Sequence, residues 1–396
     1  MAPTLDRTEL MDYLLANFSF GNGPYLKTTA LALAINKELR GRGKNPLGII
    51  VPWVYGETQR RIMLEEFQSW SDEEQSLIYL DSHLGSLLKE IFYGNGTFNE
   101  SLARWTGSHK KIADEMKRCL NNSWTLESLK GGRQKVKGQK IALELTRNPR
   151  VSLELAPGFE MTFGSTHEIF QEALKVSSQK INLDPALVKK AAALAQKVDE
   201  GSRRRYVSEP GTFSYNAKRR PLDQKETAVP PAVSLKRGKP PDISREGIYV
   251  TVSGVPGLER LYQETKKLGL TVYTNNTEAI PGSTHAAPDA IGHPKIKLHF
   301  GRCGWGAIGL SQIKEIPIVS PPHDPSDDPE IYFNILSVES LGLGVIWRGQ
   351  SLKELIETTS KLKDRIREYN SALKKRFGTL DGYAYTAKMI LKELDV

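Results

Sequence analysis

The residues of this 396-residue chain that are best suited to chemistry lie in a glycine-rich turn and in the acidic loop that follows it. The turn, GRCGWG at 301–306, comes after an apolar strand predicted at 296–300 and before an apolar helix. Such a turn directs backbone N–H groups and the positive end of the helix toward one point, which suits a phosphate. After the next predicted strand, 316–320, a proline-rich loop supplies carboxylates that can bind hydroxyl groups: Asp324, Asp327, Asp328 and Glu330. A phosphate site beside hydroxyl-binding acids is what a nucleotide-sugar needs.

These segments resemble the donor-binding half of the GT-B glycosyltransferases, the two-Rossmann-domain class that includes the UDP-glycosyltransferases and the bacterial peptidoglycan N-acetylglucosaminyltransferase. That class has a Gly/Ser-rich turn after the fourth strand of its C-terminal domain, then a strand, a proline, a short loop, an acidic–amide pair and a helix. Asp328, Glu330 and Asn334 stand in that place here, but the glutamine is missing. The histidine that usually opens the turn is displaced to His299, and Arg302 lies inside the turn. These departures leave the subfamily, the nucleotide base and the sugar open.

The resemblance implies an enzyme, of hexosyltransferase type, that moves a sugar from a nucleotide-sugar to an acceptor hydroxyl without a metal or a cofactor. It implies that the glycine turn and a second small turn hold the diphosphate, and that the acidic loop contacts sugar or ribose hydroxyls. Trp305 is expected to pack against the base or to fill the domain interface. The predicted donor-binding residues are Ser253, Gly254, Gly301, Arg302, Cys303, Gly304, Trp305, Gly306, Asp327, Asp328, Glu330 and Asn334.

The first strand-to-helix turn of the chain, 21–29, supports two incompatible hypotheses. The resemblance places it on the acceptor side of the cleft, with Gly21, Asn22, Gly23 and Lys27 as its lining residues. The same segment approximates the Walker phosphate loop, since the lysine and the following threonine have the required spacing from the first glycine. However, Leu26 occupies a position that this motif reserves for glycine. A P-loop-like nucleotide hydrolase using Gly21–Thr29 is therefore an alternative, and a nucleotide-sugar epimerase of the same fold is another.

A base must take the proton of the acceptor hydroxyl if the enzyme inverts, and Asn22 cannot do so. The candidates are polar residues that follow strands of the N-terminal domain. His167 lies just after a predicted strand at 160–163, and its ordinary pKa suits proton transfer near neutral pH. Asp81 directly follows the segment SLIYL and ends the strand predicted at 76–81, and Glu57 follows the one at 47–52. We expect His167 or Asp81 to be the catalytic base, with Glu57 as a further candidate.

The order of strands and helices predicts an α/β protein with two Rossmann-like domains that face a central cleft. The N-terminal, acceptor-side domain is predicted at 1–200, and a proline-rich, charged connector or flap at 201–246. The donor-binding domain is predicted at 247–376, and a C-terminal helix at 377–396 that crosses back onto the N-terminal domain. Residues 82–150 are expected to be mainly helical, and a strand is expected at 151–155.

Composition and charge limit the partners of the chain. Hydrophobic residues make up 39% and charged residues 26%, and the only cysteines are Cys119 and Cys303, which predicts a cytoplasmic protein. The spacing of the histidines fits no recognised metal cluster, so no metal site is expected. Basic residues are concentrated at 103–150 and 201–240 within a net charge of +9. Such zones can bind anionic lipid, so peripheral contact with a membrane is a further expectation. Nucleic acid is not expected as a partner, because the basic residues lack interleaved aromatic residues.

Overall fold

The structure, a computed structural model, describes residues 12–18, 22–92, 96–137, 140–235, 242–251 and 258–396. The strands, in chain order, are β1 (Tyr13–Asn17), β2 (Gly48–Pro52), β3 (Ile78–Asp81), β4 (Ser123–Ser128), β5 (Arg133–Lys137), β6 (Ile141–Thr146), β7 (Gly158–Thr162), β8 (Arg204–Ser208), β9 (Glu226–Val229), β10 (Gly247–Thr251), β11 (Thr271–Thr274), β12 (Thr284–His285), β13 (Ile296–Gly301), β14 (Ile318–Ser320) and β15 (Gly344–Ile346). The α-helices are α1 (Asn22–Gly41), α2 (Glu57–Glu66), α3 (Asp72–Ser76), α4 (Ser82–Phe92), α5 (Phe98–Asn121), α6 (Thr166–Ala173), α7 (Pro185–Glu200), α8 (Leu258–Lys267), α9 (Trp305–Ile313), α10 (Pro329–Leu341), α11 (Leu352–Phe377) and α12 (Gly382–Glu393).

The first domain is built on a sheet that has nine strands within the described residues, in the order β5-β4-β3-β2-β1-β6-β7-β8-β9. Neighbouring strands are parallel except at β3–β4 and β4–β5. Every residue of β1 and β2 is buried, as expected for parallel strands that are covered on both faces. The strand order reverses between β1 and β6, which leaves a crevice at the carboxyl ends of these two strands.

The second domain has a parallel sheet of six strands within the described residues, in the order β12-β11-β10-β13-β14-β15. Its order reverses between β10 and β13, so the glycine turn that follows β13 lies at the corresponding crevice. These two parallel-sheet domains confirm the predicted α/β class.

The last helix packs on the first domain. Helix α12 contacts α1 and β9, and Ala387 and Ile390 belong to the same apolar cluster as Ala32 and Ile35. The backbone N–H of Gly382 donates to the backbone oxygen of Pro231 at 3.0 Å. A Cβ atom at residue 382 would lie 2.2 Å from that oxygen, so only glycine allows this approach.

The segment 201–246, expected to be a poorly structured connector, contributes strands β8 and β9 to the first sheet. Its charges suggested exposure, but several of its arginines are paired inside the fold. Arg205 pairs with Asp223 and Glu226, and Arg220 pairs with Glu226 at 2.7 Å. This part of the second basic zone is therefore neutralised by the protein itself.

One further expectation was incomplete and another was wrong. The stretch 82–150 is mainly helical, through α4 and α5, but it also contains three strands, β4, β5 and β6; β4 and β5 form a hairpin at Gly131 and Gly132, both with φ of +94°. No strand forms at 151–155. There, side chains satisfy the backbone: the Asn17 amide donates to the oxygen of Val151 at 3.0 Å, and Glu144 accepts from the N–H of Leu155 at 2.8 Å.

Candidate active site

The glycine turn and the acidic loop are tied together by side chains. Arg302 in the turn forms an ion pair with Asp327 in the loop. The amide nitrogen of Asn334, on α10, donates to the backbone oxygen of Cys303 at 2.9 Å, and both residues are buried. The structure therefore brings these four predicted donor-binding residues into one cluster at the start of α9.

Asp328 and Glu330 lie at the start of α10, beside the glycine turn. The carboxylate of Asp328 accepts from the N–H of Glu330 at 2.9 Å and so caps the helix, and Pro329 follows at the first helical position. Burial, and then the neighbouring charge of Glu330, raise the pKa of Asp328. Asp324, the remaining acid of the loop, is exposed, and its carboxylate accepts from the backbone N–H of Ser326 at 2.9 Å.

His299 fixes the strand ends beneath the turn. It is fully buried, lies 2.6 Å from the Thr251 hydroxyl at the end of β10, and contacts the Ser311 hydroxyl on α9. Burial lowers the pKa of His299 to about 3, so its ring is neutral. This histidine holds β10, β13 and α9 together and is not available to a substrate.

Two cations of the first domain face the glycine turn. Lys27, on α1, lies with its Nζ 4.0 Å from the centre of the Phe163 ring, and its Cε would be 3.5 Å from a Cβ at Gly306. Arg147, directly after β6, pairs with Glu330 of the second domain at 3.5 Å. Desolvation, and then the charge of Arg147, lower the pKa of Lys27 well below its usual range, and Glu330 opposes this. The two domains thus meet through charged groups at the carboxyl ends of both sheets.

Aromatic and polar contacts close the interface beside these charges. Trp305 stacks on Phe163, which follows β7, and donates its indole N–H to the Thr212 hydroxyl at 3.1 Å. The Ser337 hydroxyl, on α10, donates to the backbone oxygen of Thr212 at 2.9 Å. Of the two roles expected for Trp305, this structure shows the packing at the domain interface.

A small cavity lies at the crevice of the first sheet. It has a volume of about 20 Å³, and both Lys27 and Arg147 line it. Thr146 of β6 and Tyr383 of α12 also line it, and the rest of its wall is mainly apolar. This cavity lies at the reversal of strand order, where open parallel sheets bind ligands.

The predicted catalytic residues lie apart from this cluster and contact other groups. The Nδ1 atom of His167 is 2.9 Å from the backbone oxygen of Ala192 on α7. Asp81 is buried and accepts from the N–H groups of His83 and Leu84, both at 2.9 Å, and from the indole of Trp124 at 2.6 Å. Burial raises the pKa of Asp81. Nothing in these contacts tests a catalytic role, which stays a prediction for both residues.

The remaining candidate residues lie outside the described ranges or are exposed. Ser253, Gly254 and Gly21 lie outside the described residues, as does the side chain of Asn22. Gly23 is exposed in the first turn of α1, and Glu57 is exposed at the start of α2, where it pairs with Arg60 at 3.6 Å.

Sequence reasoning missed Arg147, Phe163 and Thr212. Phe163 was placed within a predicted strand, and Arg147 within a stretch expected to be helical. The signal for Arg147 was available, because the alternating segment IALELT at 141–146 ends directly before it. Thr212 lies in the segment that was taken for a connector.

Within the described residues, no group of His, Cys, Asp and Glu side chains is arranged to hold a metal ion. Across the same residues, every helix is too short or too polar to cross a membrane.

Solved structures that are similar over nearly the whole chain are glycosyltransferases. A UDP-glucosyltransferase from Polygonum tinctorium is 14% identical, with a TM-score of 0.58 over 98% of this chain and 99% of that chain. The calicheamicin glycosyltransferase CalG4 is 14% identical, with a TM-score of 0.56 over 97% and 98%. UGT2 of Phytolacca americana, in complex with UDP-2fluoro-glucose and pterostilbene, is 11% identical, with a TM-score of 0.55 over 96% and 99%. The sequence matches no protein-family profile and no curated protein. The chain therefore has the GT-B fold that its sequence predicted.

Proposed function

We propose that this protein is a glycosyltransferase that moves a sugar from a nucleotide-sugar donor to an acceptor hydroxyl, without a metal or cofactor. The observation that carries the proposal is the cluster at the start of α9. There, the Arg302–Asp327 ion pair and the Asn334–Cys303 hydrogen bond connect the glycine turn, which suits a phosphate, to the acidic loop and α10. The fold shared with glycosyltransferases supports it, and UGT2 of Phytolacca americana was solved with UDP-2fluoro-glucose.

In this proposal the donor lies on the second domain. The backbone of Gly301–Gly306 and the positive end of α9 hold the diphosphate, with Ser253 and Gly254 as a second contact. The guanidinium of Arg302 adds a positive charge that stabilises the leaving group, which replaces the metal ion that other enzymes use. Asp327, Asp328 and Glu330 bind hydroxyls of the sugar or ribose.

The acceptor lies against the first domain, at the carboxyl ends of β1, β6 and β7. A base must then remove its hydroxyl proton. His167 and Asp81 remain our candidates for this base. The variants His167→Gln and Asp81→Asn show which of the two residues is required for turnover. Loss of turnover with unchanged donor binding supports a catalytic role, because proton removal belongs to the chemical step.

Thermal unfolding with UDP, GDP, dTDP, CMP and ATP, each with and without magnesium, tests the proposal. A ligand at about 100 times its Kd stabilises the folded state by about 2.7 kcal/mol. This corresponds to a shift of several degrees for a domain of this size. A shift with one nucleoside diphosphate that persists in EDTA supports the proposal and identifies the donor nucleotide. No shift with any diphosphate contradicts it.

The same experiment addresses the alternatives. A magnesium-dependent shift with ATP alone favours a nucleotide hydrolase that uses Gly21–Thr29. An epimerase binds the same diphosphates as a transferase, but it converts the nucleotide-sugar in the absence of any acceptor. Incubation of the matching nucleotide-sugar with the protein alone, followed by analysis of the sugar, separates these two activities.

Peripheral contact with an anionic membrane forms a separate part of the proposal. It is supported by exposed lysines of the first basic zone, Lys110 and Lys111 on α5 and Lys135 and Lys137 on β5. Basic residues near an anionic surface each contribute about 1 kcal/mol to binding. Sedimentation with liposomes at low salt should show binding to vesicles that contain phosphatidylserine and none to neutral vesicles. Equal binding to both contradicts this contact.

A further inference from the structure

The cavity between α1, β6 and β7 has an unusual lining. Its wall is mainly apolar and includes Leu145, Phe159 and Met161. Two cations, Lys27 and Arg147, also line it, although each comes from a different element. Its volume of about 20 Å³ has room for a group of about one or two non-hydrogen atoms beyond the wall, such as the oxygens of a carboxylate.

The charges around this cavity are not balanced. Glu330 is 3.5 Å from Arg147, but none of the described residues forms an ion pair with Lys27. The Lys27 ammonium lies over the face of the Phe163 ring, which attracts a cation only weakly. When Lys27 is protonated, two cations face one carboxylate in a partly buried place, and a single additional negative charge would balance them.

The state of Lys27 supports the same conclusion. Desolvation and Arg147 lower the pKa of its amine, which is the expected result for a cation that lacks a partner. The groups that face it from neighbouring elements are Arg147, Glu330 and the Tyr383 phenol, and only Glu330 favours the charged amine. A bound anion would add a second favourable charge and would keep the amine protonated.

We propose that Lys27 and Arg147 bind a carboxylate of the acceptor, so that the acceptor class is hydroxy acids. The proposal rests on the glycosyltransferase function proposed above and names its acceptor. A carboxylate fits better than a phosphate, because one charge balances the cluster, whereas a dianion would reverse its sign. The ammonium and the guanidinium donate to the carboxylate oxygens, and the rest of the acceptor lies outside this small cavity.

Binding of benzoate and of its neutral isostere benzamide to the full chain, measured by calorimetry, tests the proposal. We expect benzoate to bind at least about 10-fold more tightly than benzamide, since a hydrogen bond to a charged group gives this discrimination. Lys27→Met should weaken benzoate binding by at least about 10-fold and leave benzamide binding unchanged. Lys37→Met is the matched control, because Lys37 is exposed on the same helix, and it should bind both compounds like the wild type.

Three results would overturn the proposal. One is equal affinity of the wild type for benzoate and benzamide, including no binding of either, and this comparison needs no variant. Another is unchanged benzoate binding by folded Lys27→Met protein. The third is tighter binding of phenyl phosphate than of benzoate, which assigns the site to phosphate. UDP binding by the wild type is measured in parallel, so that failure of the acceptor assignment is separated from failure of the transferase function.

Discussion

The rings of Phe163 and Trp305 stack across the contact between the two domains, with centroids 5.3 Å apart and planes that differ by 9°. Phe163 follows β7 of the first sheet, whereas Trp305 opens α9 of the second domain. Both side chains are buried. This pair therefore joins the acceptor side of the proposed cleft to the turn that we assign to the donor diphosphate. Its loss should lower the stability of the contact between the two domains.

Phe163→Ala should lower the free energy of unfolding by about 3–5 kcal/mol, because a large buried ring is removed from a packed interface. Urea unfolding followed by Trp fluorescence and by far-UV circular dichroism measures this loss. Phe163→Leu is the milder companion, since it keeps most of the apolar volume. A loss below about 1 kcal/mol for Phe163→Ala would show that the interface is open in solution.

Trp305 and Thr212 should contribute to stability as a coupled pair, because the indole of one donates to the hydroxyl of the other. Trp305→Phe and Thr212→Val each remove it, and we expect each to cost about 1–3 kcal/mol because a buried polar group loses its partner. The double variant should cost less than the sum of the two single variants. Additive losses in the same urea titrations would show that the two side chains do not interact.

Asn334 should control the shape of the glycine turn. In Asn334→Ala the buried backbone oxygen of Cys303 loses its donor, which should cost about 1–3 kcal/mol and weaken the binding of the diphosphate. Asn122→Ala is the control, since Asn122 donates to the backbone oxygen of Arg118 at 2.9 Å but is exposed. Calorimetric titration with UDP compares the two variants. Equal affinities would contradict the assignment of the turn to the diphosphate.

Asp81 should act mainly in folding. It caps α4 and accepts from the Trp124 indole, so Asp81→Ala removes a helix cap and leaves a polar group unpaired. The two effects together should lower stability by about 2–4 kcal/mol. Donor affinity should be unchanged, as measured by UDP titration below the melting temperature. Wild-type stability together with lost turnover would instead establish Asp81 as the catalytic base.

Stability should fall as the pH rises through the weakly acidic range, because of Glu66. Burial, and then Asp289 and Glu65, raise the pKa of Glu66 from 4.5 to about 7. Between these values the folded chain binds more protons than the unfolded chain, so the free energy of unfolding decreases from about pH 4.5 to about pH 7. Glu66→Gln should therefore be more stable relative to the wild type at pH 8 than at pH 5.

Urea unfolding at both pH values measures this difference. Glu57→Gln is the control, because Glu57 is exposed on the same helix, and it should follow the wild type at both values. A stability difference between Glu66→Gln and the wild type that is the same at pH 5 and pH 8 would contradict the linkage.

The sequence allowed the fold to be predicted where pattern and local chemistry agreed. The strands predicted at 47–52 and 296–300 correspond to β2 and β13 within one residue at each end, because each is a short apolar run whose pattern is local. The strands in the segment 201–246 could not be predicted from such local patterns. Its arginines looked exposed, and their partners, such as Glu226 and Glu393, were identifiable only from the folded structure.

The proximity of the residues assigned to the donor was also predictable, since they are close in sequence. Arg302 and Asp327 stand on adjacent loops of one sheet, so their meeting follows from the strand order. The proximity of the first-domain residues of the site could not be predicted. Lys27, Arg147 and Phe163 come from three elements that become neighbours only when the strand order of the first sheet is known.

The position of α12 on α1 has a consequence for how the protein is made. Helix α1 is translated before the second domain, but the helix that covers its apolar face is translated only after that domain. At bacterial or eukaryotic elongation rates, that interval lasts roughly 20–70 s. Throughout it, the nascent first domain exposes an apolar surface that the mature protein conceals. The first domain therefore reaches its final packing only after the second domain has been synthesised.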